Sequence, residues 1–147
     1  MKLKNNNLLD YRCILSEKGI SRTKFRTDLV NFFYSSNKSL SVEEILMHFD
    51  NSINKVTVYR SLVSFENKGL IHKVPDTNNL MRYSLCRANE CSSRSHNHNH
   101  GHFICYSCNE TFCLEGVKSP EIIEIKGFYV KELKLTAEGY CQQCYKN

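Results

Sequence analysis

Nowhere does the 147-residue chain run to about 18 consecutive apolar residues, so it offers no transmembrane helix and no membrane partner is expected. Its first residues, Met-Lys-Leu-Lys-Asn-Asn-Asn, lack the apolar core of an export signal, and the expectation is a soluble, cytoplasmic protein. No internal repeat is present, which argues against a solenoid. Also missing is the H-x-E that a nucleobase deaminase sets beside its zinc-binding cysteines, so neither an enzyme nor a small-molecule substrate is expected. With 41% hydrophobic and 24% charged residues the chain is globular, large enough for one domain or two small ones.

Cysteine and histidine, by contrast, are concentrated. Eight cysteines in a secreted chain would suggest a disulfide framework, but without an export signal the reducing compartment favours metal ligation. Residues 96–113 hold four histidines and three cysteines. Cys105 and Cys108 form a C-x-x-C pair, which lets two thiolates close on one ion from a tight turn, and Cys141 and Cys144 form a second. Together they are the complement of a closed, structural zinc site with four cysteine ligands. The 32 residues between the pairs exceed the spacing of a minimal zinc ribbon, so a small subdomain should be built between them.

The positive charge is uneven. Residues 1–85 hold 13 Lys and Arg against 8 Asp and Glu, and residues 86–147 hold 7 against 7, so an anionic partner, nucleic acid first, is expected at the N-terminal part. Leu8, Tyr11 and Leu15 predict a helix over 8–18, with Cys13 as a lone buried thiol. A second helix is predicted over 22–34, capped by Ser21 and striped by Phe25, Leu29, Phe32 and Phe33. A third starts at Ser41, which has capping-box spacing to Glu44 while Leu40 and Ile45 can form a hydrophobic staple. After a turn over 50–54, Lys55 opens a fourth helix closed by Gly69, with Val58, Leu62 and Phe65 as its core stripe. Thr57, Arg60, Ser61 and Ser64 make the opposite stripe. Two short helices joined by a turn, the second carrying hydroxyls, Tyr59 and Arg60, form a helix-turn-helix suited to phosphates and base edges.

Strand-like runs over 70–74 and 80–85, separated by Pro-Asp-Thr-Asn-Asn, complete a winged helix. Candidate DNA contacts are Arg22, Arg26, Lys55, Thr57, Tyr59, Arg60, Ser61 and Ser64, with Lys73 and Arg82 reaching phosphates from the wing. Residues 86–102 lack apolar periodicity and read as a hinge between a DNA-binding domain (1–85) and a zinc-stabilised domain (103–147). In the latter, 103–105 and 111–114 look like ribbon strands, and 128–136 alternates like another. So small a unit needs zinc and a partner chain for stability.

Beyond the four paired cysteines, His72, Cys86, Cys91, Cys113 and the run His96, His98, His100, His102 lie on the wing, the hinge and the ribbon. A second metal collecting ligands from all three would fix the angle between the two domains. Mixed thiolate and imidazole donors favour zinc, whereas Fe2+ or Mn2+ would use more carboxylate, and only Glu90, Glu110 and Glu115 are near. The alternative is a histidine tract that scavenges metal without a defined site.

In four stretches the chain resembles the ferric uptake regulator family of bacterial metal-dependent repressors: Thr57-Val58-Tyr59-Arg60-Ser61-Leu62, Lys68-Gly69-Leu70-Ile71, His100-Gly101-His102-Phe103-Ile104-Cys105-Tyr106-Ser107-Cys108 and Cys141-Gln142-Gln143-Cys144. The resemblance implies an α+β protein, a winged helix followed by an α/β dimerisation domain. It also implies a homodimer that binds a palindromic double-stranded DNA operator when its regulatory metal is present and represses metal-uptake genes. Cys105, Cys108, Cys141 and Cys144 match the family's structural zinc ligands. Tyr83-Ser84-Leu85-Cys86 is nearest the zinc uptake regulator branch, in which a cysteine here binds regulatory zinc and His72 and His98 fall near the other ligands. His100 and His102 instead match the histidine pair of the iron branch. Cys113 stands where both branches usually carry glutamate, favouring zinc and leaving iron or peroxide sensing as alternatives. Asn99 and Gly101 replace ligands of the family's additional site, which is expected to be absent. Pro120 and the short gap before Gly127 leave little room for the usual helix. A zinc storage or metallochaperone protein is the rival from another class, and it would not require the Tyr59-Arg60 helix.

Overall fold

A computed structural model of the chain describes residues 10–36, 38–77, 80–86, 100–114, 116–121, 124–131 and 133–146. Leu8, Glu90, Cys91, His96, His98, Asn99 and Glu115 lie outside them. Helix α1 (Tyr11–Glu17) starts at Asp10, whose carboxylate accepts from the Arg12 N–H at 3.0 Å. Leu15 takes its inward position, and Cys13, expected to be buried, is exposed. Helix α2 (Lys24–Ser36) begins two residues later than expected, because Thr23 and not Ser21 accepts from the Arg26 N–H, at 3.3 Å. Ser21 instead accepts from the Arg26 guanidinium.

Strand β1 (Leu40–Ser41) runs directly into α3 (Val42–His48), where both halves of the capping box form. Ser41 Oγ accepts from the Glu44 N–H at 3.2 Å, and the Glu44 carboxylate accepts from the Ser41 N–H at 2.8 Å. Asn54 caps α4 (Lys55–Asn67) by accepting from the Val56 N–H at 2.8 Å, and Gly69, at φ 72°, stops it. Strands β2 (Ile71–Val74) and β3 (Arg82–Leu85) form the antiparallel hairpin, and β1 pairs with the far edge of β3 in a three-stranded sheet ordered β1-β3-β2. Leu29, Ile45, Val58, Leu62, Phe65 and Ile71 are fully buried in the core between helices and sheet. This is a winged helix, and β1, at two residues, is too short for alternation to reveal.

The second part is built on β4 (Gly101–Cys105), antiparallel to β5 (Thr111–Leu114) and parallel to β8 (Thr136–Gly139). A small hairpin of β6 (Glu124–Ile125) and β7 (Phe128–Tyr129) and a last helix α5 (Gln142–Tyr145) complete it. Residues 128–136 are therefore not one strand. The ladder that β4 offers is taken by 136–139, with Thr136 opposite His102. His102 likewise belongs to β4 and not to an irregular hinge. Among the described residues no helix lies between Leu114 and Glu124, in keeping with Pro120 and the short gap, and none is long and apolar enough to cross a membrane.

Phe65→Ala should destabilise the zinc-loaded protein by about 3–5 kcal/mol, the range for removing a buried aromatic ring, and Ser41→Ala by about 1 kcal/mol, the worth of a capping hydroxyl. Urea unfolding followed by circular dichroism checks both. Equal losses would show that Phe65 in α4 contributes no more to the core than the Ser41 cap contributes to α3.

Candidate metal centres and helix surface

The parallel pairing of β4 and β8 brings the two cysteine pairs together, because it sets Cys105 opposite Gly139, two residues before Cys141. Between Cys105 and Cys108 the chain makes a tight knuckle, with the Asn109 N–H donating to the Cys105 carbonyl at 2.9 Å. Asn109 closes it at φ 56°, a conformation its short amide tolerates. All four sulfurs lie within 4.8 Å of one another, and Cys108 Sγ is 4.0 Å from Cys141 Sγ. A zinc tetrahedron with bonds of about 2.3 Å spaces its sulfurs by about 3.8 Å, so the group fits that ion with little rearrangement. The backbone N–H groups of Cys108 and Cys141 pull the Cys105 thiol down to about 6, the Cys141 N–H standing 3.3 Å from its sulfur.

A second group of four joins both parts of the chain. His72 on β2, His100, His102 on β4 and Cys113 on β5 place their ligand atoms within 4.8 Å of one another, all buried or half-buried. His102 on β4 and His100, in the bend just before it, both reach this group, with Gly101 turned away between them. A Cβ there would meet Val117 Cγ1 at 3.3 Å and the Leu114 and Leu135 methyls at 3.5 Å, so glycine is what lets β4 lie so close to its neighbours. Register does the rest: Cys113 is the cross-strand partner of His102. His72 Nε2 stands 3.5 Å from Cys113 Sγ. That matches the separation of about 3.6 Å implied by tetrahedral zinc bonded to one nitrogen and one sulfur.

Cys86 is placed differently. Its sulfur lies 3.5 Å from His72 Nδ1, on the other side of the ring from Cys113, where it can hold the imidazole's orientation. Ser84 Oγ accepts from Cys113 Sγ at 3.6 Å, adding a contact between the winged-helix sheet and the ribbon.

On α4, Thr57, Tyr59 and Arg60 are exposed, Ser64 is half-buried, and Lys55 carries its ammonium 6.0 Å from the Tyr59 ring centre. Ser21, Thr23, Arg26, Thr57, Arg60 and Ser61 line an open cleft of about 350 Å³ beside this surface, and Arg22 is exposed close by in sequence. Two expected DNA contacts are corrected. Ser61 is buried, because it stands at i+3 from Val58 and so belongs to the inward stripe of Val58, Leu62 and Phe65. Arg82 is buried as well. Its guanidinium donates to Ser39 Oγ (3.0 Å), to the Ser39 carbonyl (2.9 Å) and to Glu44 (2.8 Å), so it faces inward. Lys73 stays exposed and pairs with Glu66 at 3.4 Å. Val56 and Val63 went unnoticed in the sequence, yet both are half exposed on the Tyr59 face, and their spacing of seven residues was the available signal.

Residues 17–138 match the family described as "Ferric uptake regulator family". The ferric uptake regulation protein of Staphylococcus epidermidis is 30% identical over 141 residues, covering 90% of this chain and 92% of that protein. The ferric uptake regulator of Francisella tularensis, solved with iron, is similar at a TM-score of 0.57 and 25% identity, over 86% of this chain and 96% of that one. A zinc uptake regulator complexed with zinc and DNA shares the fold at a TM-score of 0.60 and 18% identity, over 91% of this chain and 89% of that one.

Cys108→Ser should lower bound zinc by about one equivalent and loosen the β4–β8 ribbon, since a structural site contributes folding energy directly. Cys113→Ser should lower zinc by about one equivalent with the ribbon intact. Metal analysis with circular dichroism under reducing conditions checks both, and full zinc content in Cys113→Ser would remove the second group as a metal centre.

Proposed function

The chain belongs to the ferric uptake regulator family, whose members are metal-responsive transcriptional regulators and not enzymes, and we propose that it is a cytoplasmic, zinc-responsive repressor of metal-uptake genes. It acts as a homodimer on a palindromic operator, with residues 1–85 reading DNA, 86–100 as hinge and the ribbon from β4 (Gly101–Cys105) onward dimerising. The observation that carries the zinc reading is the donor set itself. Among the described residues three imidazoles and the Cys113 thiol converge with no carboxylate in the group, a combination that suits zinc better than ferrous iron or manganese, which favour oxygen ligands. Cys105, Cys108, Cys141 and Cys144 hold the structural zinc.

Held by His72, His100, His102 and Cys113, zinc would cross-link the winged-helix sheet to the ribbon. His72, reaching from β2, is the winged helix's own member of that group, so its engagement with Cys113, His100 and His102 selects one orientation of α4 relative to the ribbon. In a dimer two α4 helices held in this way can enter successive major grooves about 34 Å apart. Arg60 and Thr57 then donate to phosphates or base edges, while Tyr59 with the exposed Val56 and Val63 offers an apolar surface to thymine methyls. On the β6–β7 hairpin Phe128 is 74% and Tyr129 80% exposed, an apolar surface that a second copy of the chain would cover.

DNA selected by the zinc-loaded protein from a random library provides the probe. Fluorescence anisotropy should show about tenfold or tighter binding with the second group filled than with it emptied by a chelator, and a steep loss of affinity with salt. Equal affinities would refute zinc control. Replacing Tyr59 and Arg60 by alanine should abolish selective binding while both zinc equivalents stay, an outcome a zinc-storage protein would not produce.

A further inference from the structure

The two parts of the chain also meet at a place that needs no metal. Lys38 and Arg82 of the winged helix and two carboxylates, Glu44 of α3 and Glu110 of the ribbon, form a closed group of alternating charge. Lys38 Nζ lies 2.8 Å from Glu110 Oε1 and 3.3 Å from Glu44 Oε1. Arg82 Nη2 lies 2.8 Å from Glu44 Oε2 and 3.6 Å from Glu110 Oε2. The side chains of Arg82 and Glu110 are only 10% and 19% exposed, so solvent screens this group less than it would a surface pair. Beside it Thr111 Oγ1 donates to the Pro75 carbonyl at 2.8 Å, a second link from ribbon to wing.

Glu110 is the ribbon's entire charged contribution to this group. Its backbone carbonyl accepts from the Cys105 N–H at 3.0 Å, so its place is set by the knuckle between Cys105 and Cys108. On the other side, Arg82 sits at the start of β3, two residues before Ser84, the cross-strand partner of His72. A continuous chain of contacts therefore runs from the four-cysteine group, through Glu110 and Arg82, to the strand pair that carries His72.

We propose that Glu110 is a positioning residue that docks the ribbon onto Lys38 and Arg82, setting His72 within reach of Cys113, His100 and His102 before any ion enters that group. Without its carboxylate the ribbon loses its ionic attraction to Lys38 and Arg82, the contact that closes the joint between the two parts. The docking stands on its own. Its effect on metal affinity rests on the zinc reading above.

The test uses full-length protein with zinc in place at its four paired cysteines and the second group emptied by a chelator. Residual dipolar couplings from NMR should bring the two parts of the wild type close to one common alignment frame, the bias that such a joint imposes, and should give two clearly separate frames for Glu110→Gln and for Lys38→Met. Zinc retained at the four cysteines shows that each variant is folded, and Lys38→Met, which leaves the ribbon untouched, decides the matter if Glu110→Gln is not. Competition with a chromogenic chelator should then show zinc bound about threefold to fivefold more weakly by the second group in both variants. The wild-type affinity should fall between about 0.1 and 0.5 M sodium chloride more steeply than that of the variants. A single frame in both variants overturns the docking, and unchanged zinc affinity despite separated frames overturns the coupling to the metal group. If the wild type takes up no second zinc, the zinc reading fails while the alignment frames still decide the docking.

Discussion

The imidazole of His72 is held between two sulfurs, Cys86 at Nδ1 and Cys113 at Nε2, each 3.5 Å away. The rest of the second group depends on this contact, because His72 is its one member from the winged helix, while the others come from the edge of β4 and from β5. Its geometry is secured by two strand registers. Pairing of β2 with β3 sets His72 opposite Ser84, and pairing of β4 with β5 sets His102 opposite Cys113. A slip of one residue in either ladder would turn a donor to the opposite face of its sheet. Gly101 keeps that side of β4 close-packed, since a Cβ there would crowd Val117 at 3.3 Å and touch the Leu114 and Leu135 methyls at 3.5 Å.

The two cysteine-containing groups differ in where their ligands come from, which fits the proposed roles of support for the first and control for the second. Cys105, Cys108, Cys141 and Cys144 all belong to the ribbon, so an ion among them closes a small unit that buries little core of its own. The second group spans both parts of the chain. Ligation there acts on their relative placement, which is the quantity a paired helix-turn-helix needs to have controlled. Cys86 behind His72 narrows the ring's freedom without joining the four, the usual service of an outer partner to a ligating histidine.

Features written in local sequence were legible. The C-x-x-C pairs, the Ser41–Glu44 capping box and the core stripe of α4 each depend on residues a few positions apart, and each has its expected structural form. Where the outward reach of a side chain was inferred from its type alone, the reading failed. Arg82 has the chemistry to contact phosphate, yet it lies over Ser39 and Glu44, some forty positions away. Ser61 is polar but stands at a helical interval from Val58 that points inward, so period outweighed polarity. Cys13 shows the converse, an apolar side chain on the outer face of α1. The ion pair of Lys38 with Glu110 joins residues 72 apart and leaves no trace in spacing, since nothing in a single sequence marks two distant opposite charges as partners.

The balance between the ionic joint and the metal group bounds how each can act. Lys38 is 37% exposed, so its pairs with Glu44 and Glu110 belong nearer the surface regime, in which one ion pair contributes no more than about 1 kcal/mol. A joint of that strength biases the orientation of the winged helix without freezing it. Rigidity would defeat control, because a ligand shifts an equilibrium only by the difference in its affinity for the two states, and a single state leaves nothing to shift. Zinc held as proposed by His72, His100, His102 and Cys113 would outweigh that joint, since structural zinc sites are worth about 10–16 kcal/mol near neutral pH. Only part of that energy is needed to hold His72 against the ribbon. Even a small shift in where β2 lies, transmitted through the core that Ile71 shares with Phe65 and Leu62, therefore moves α4 as a body.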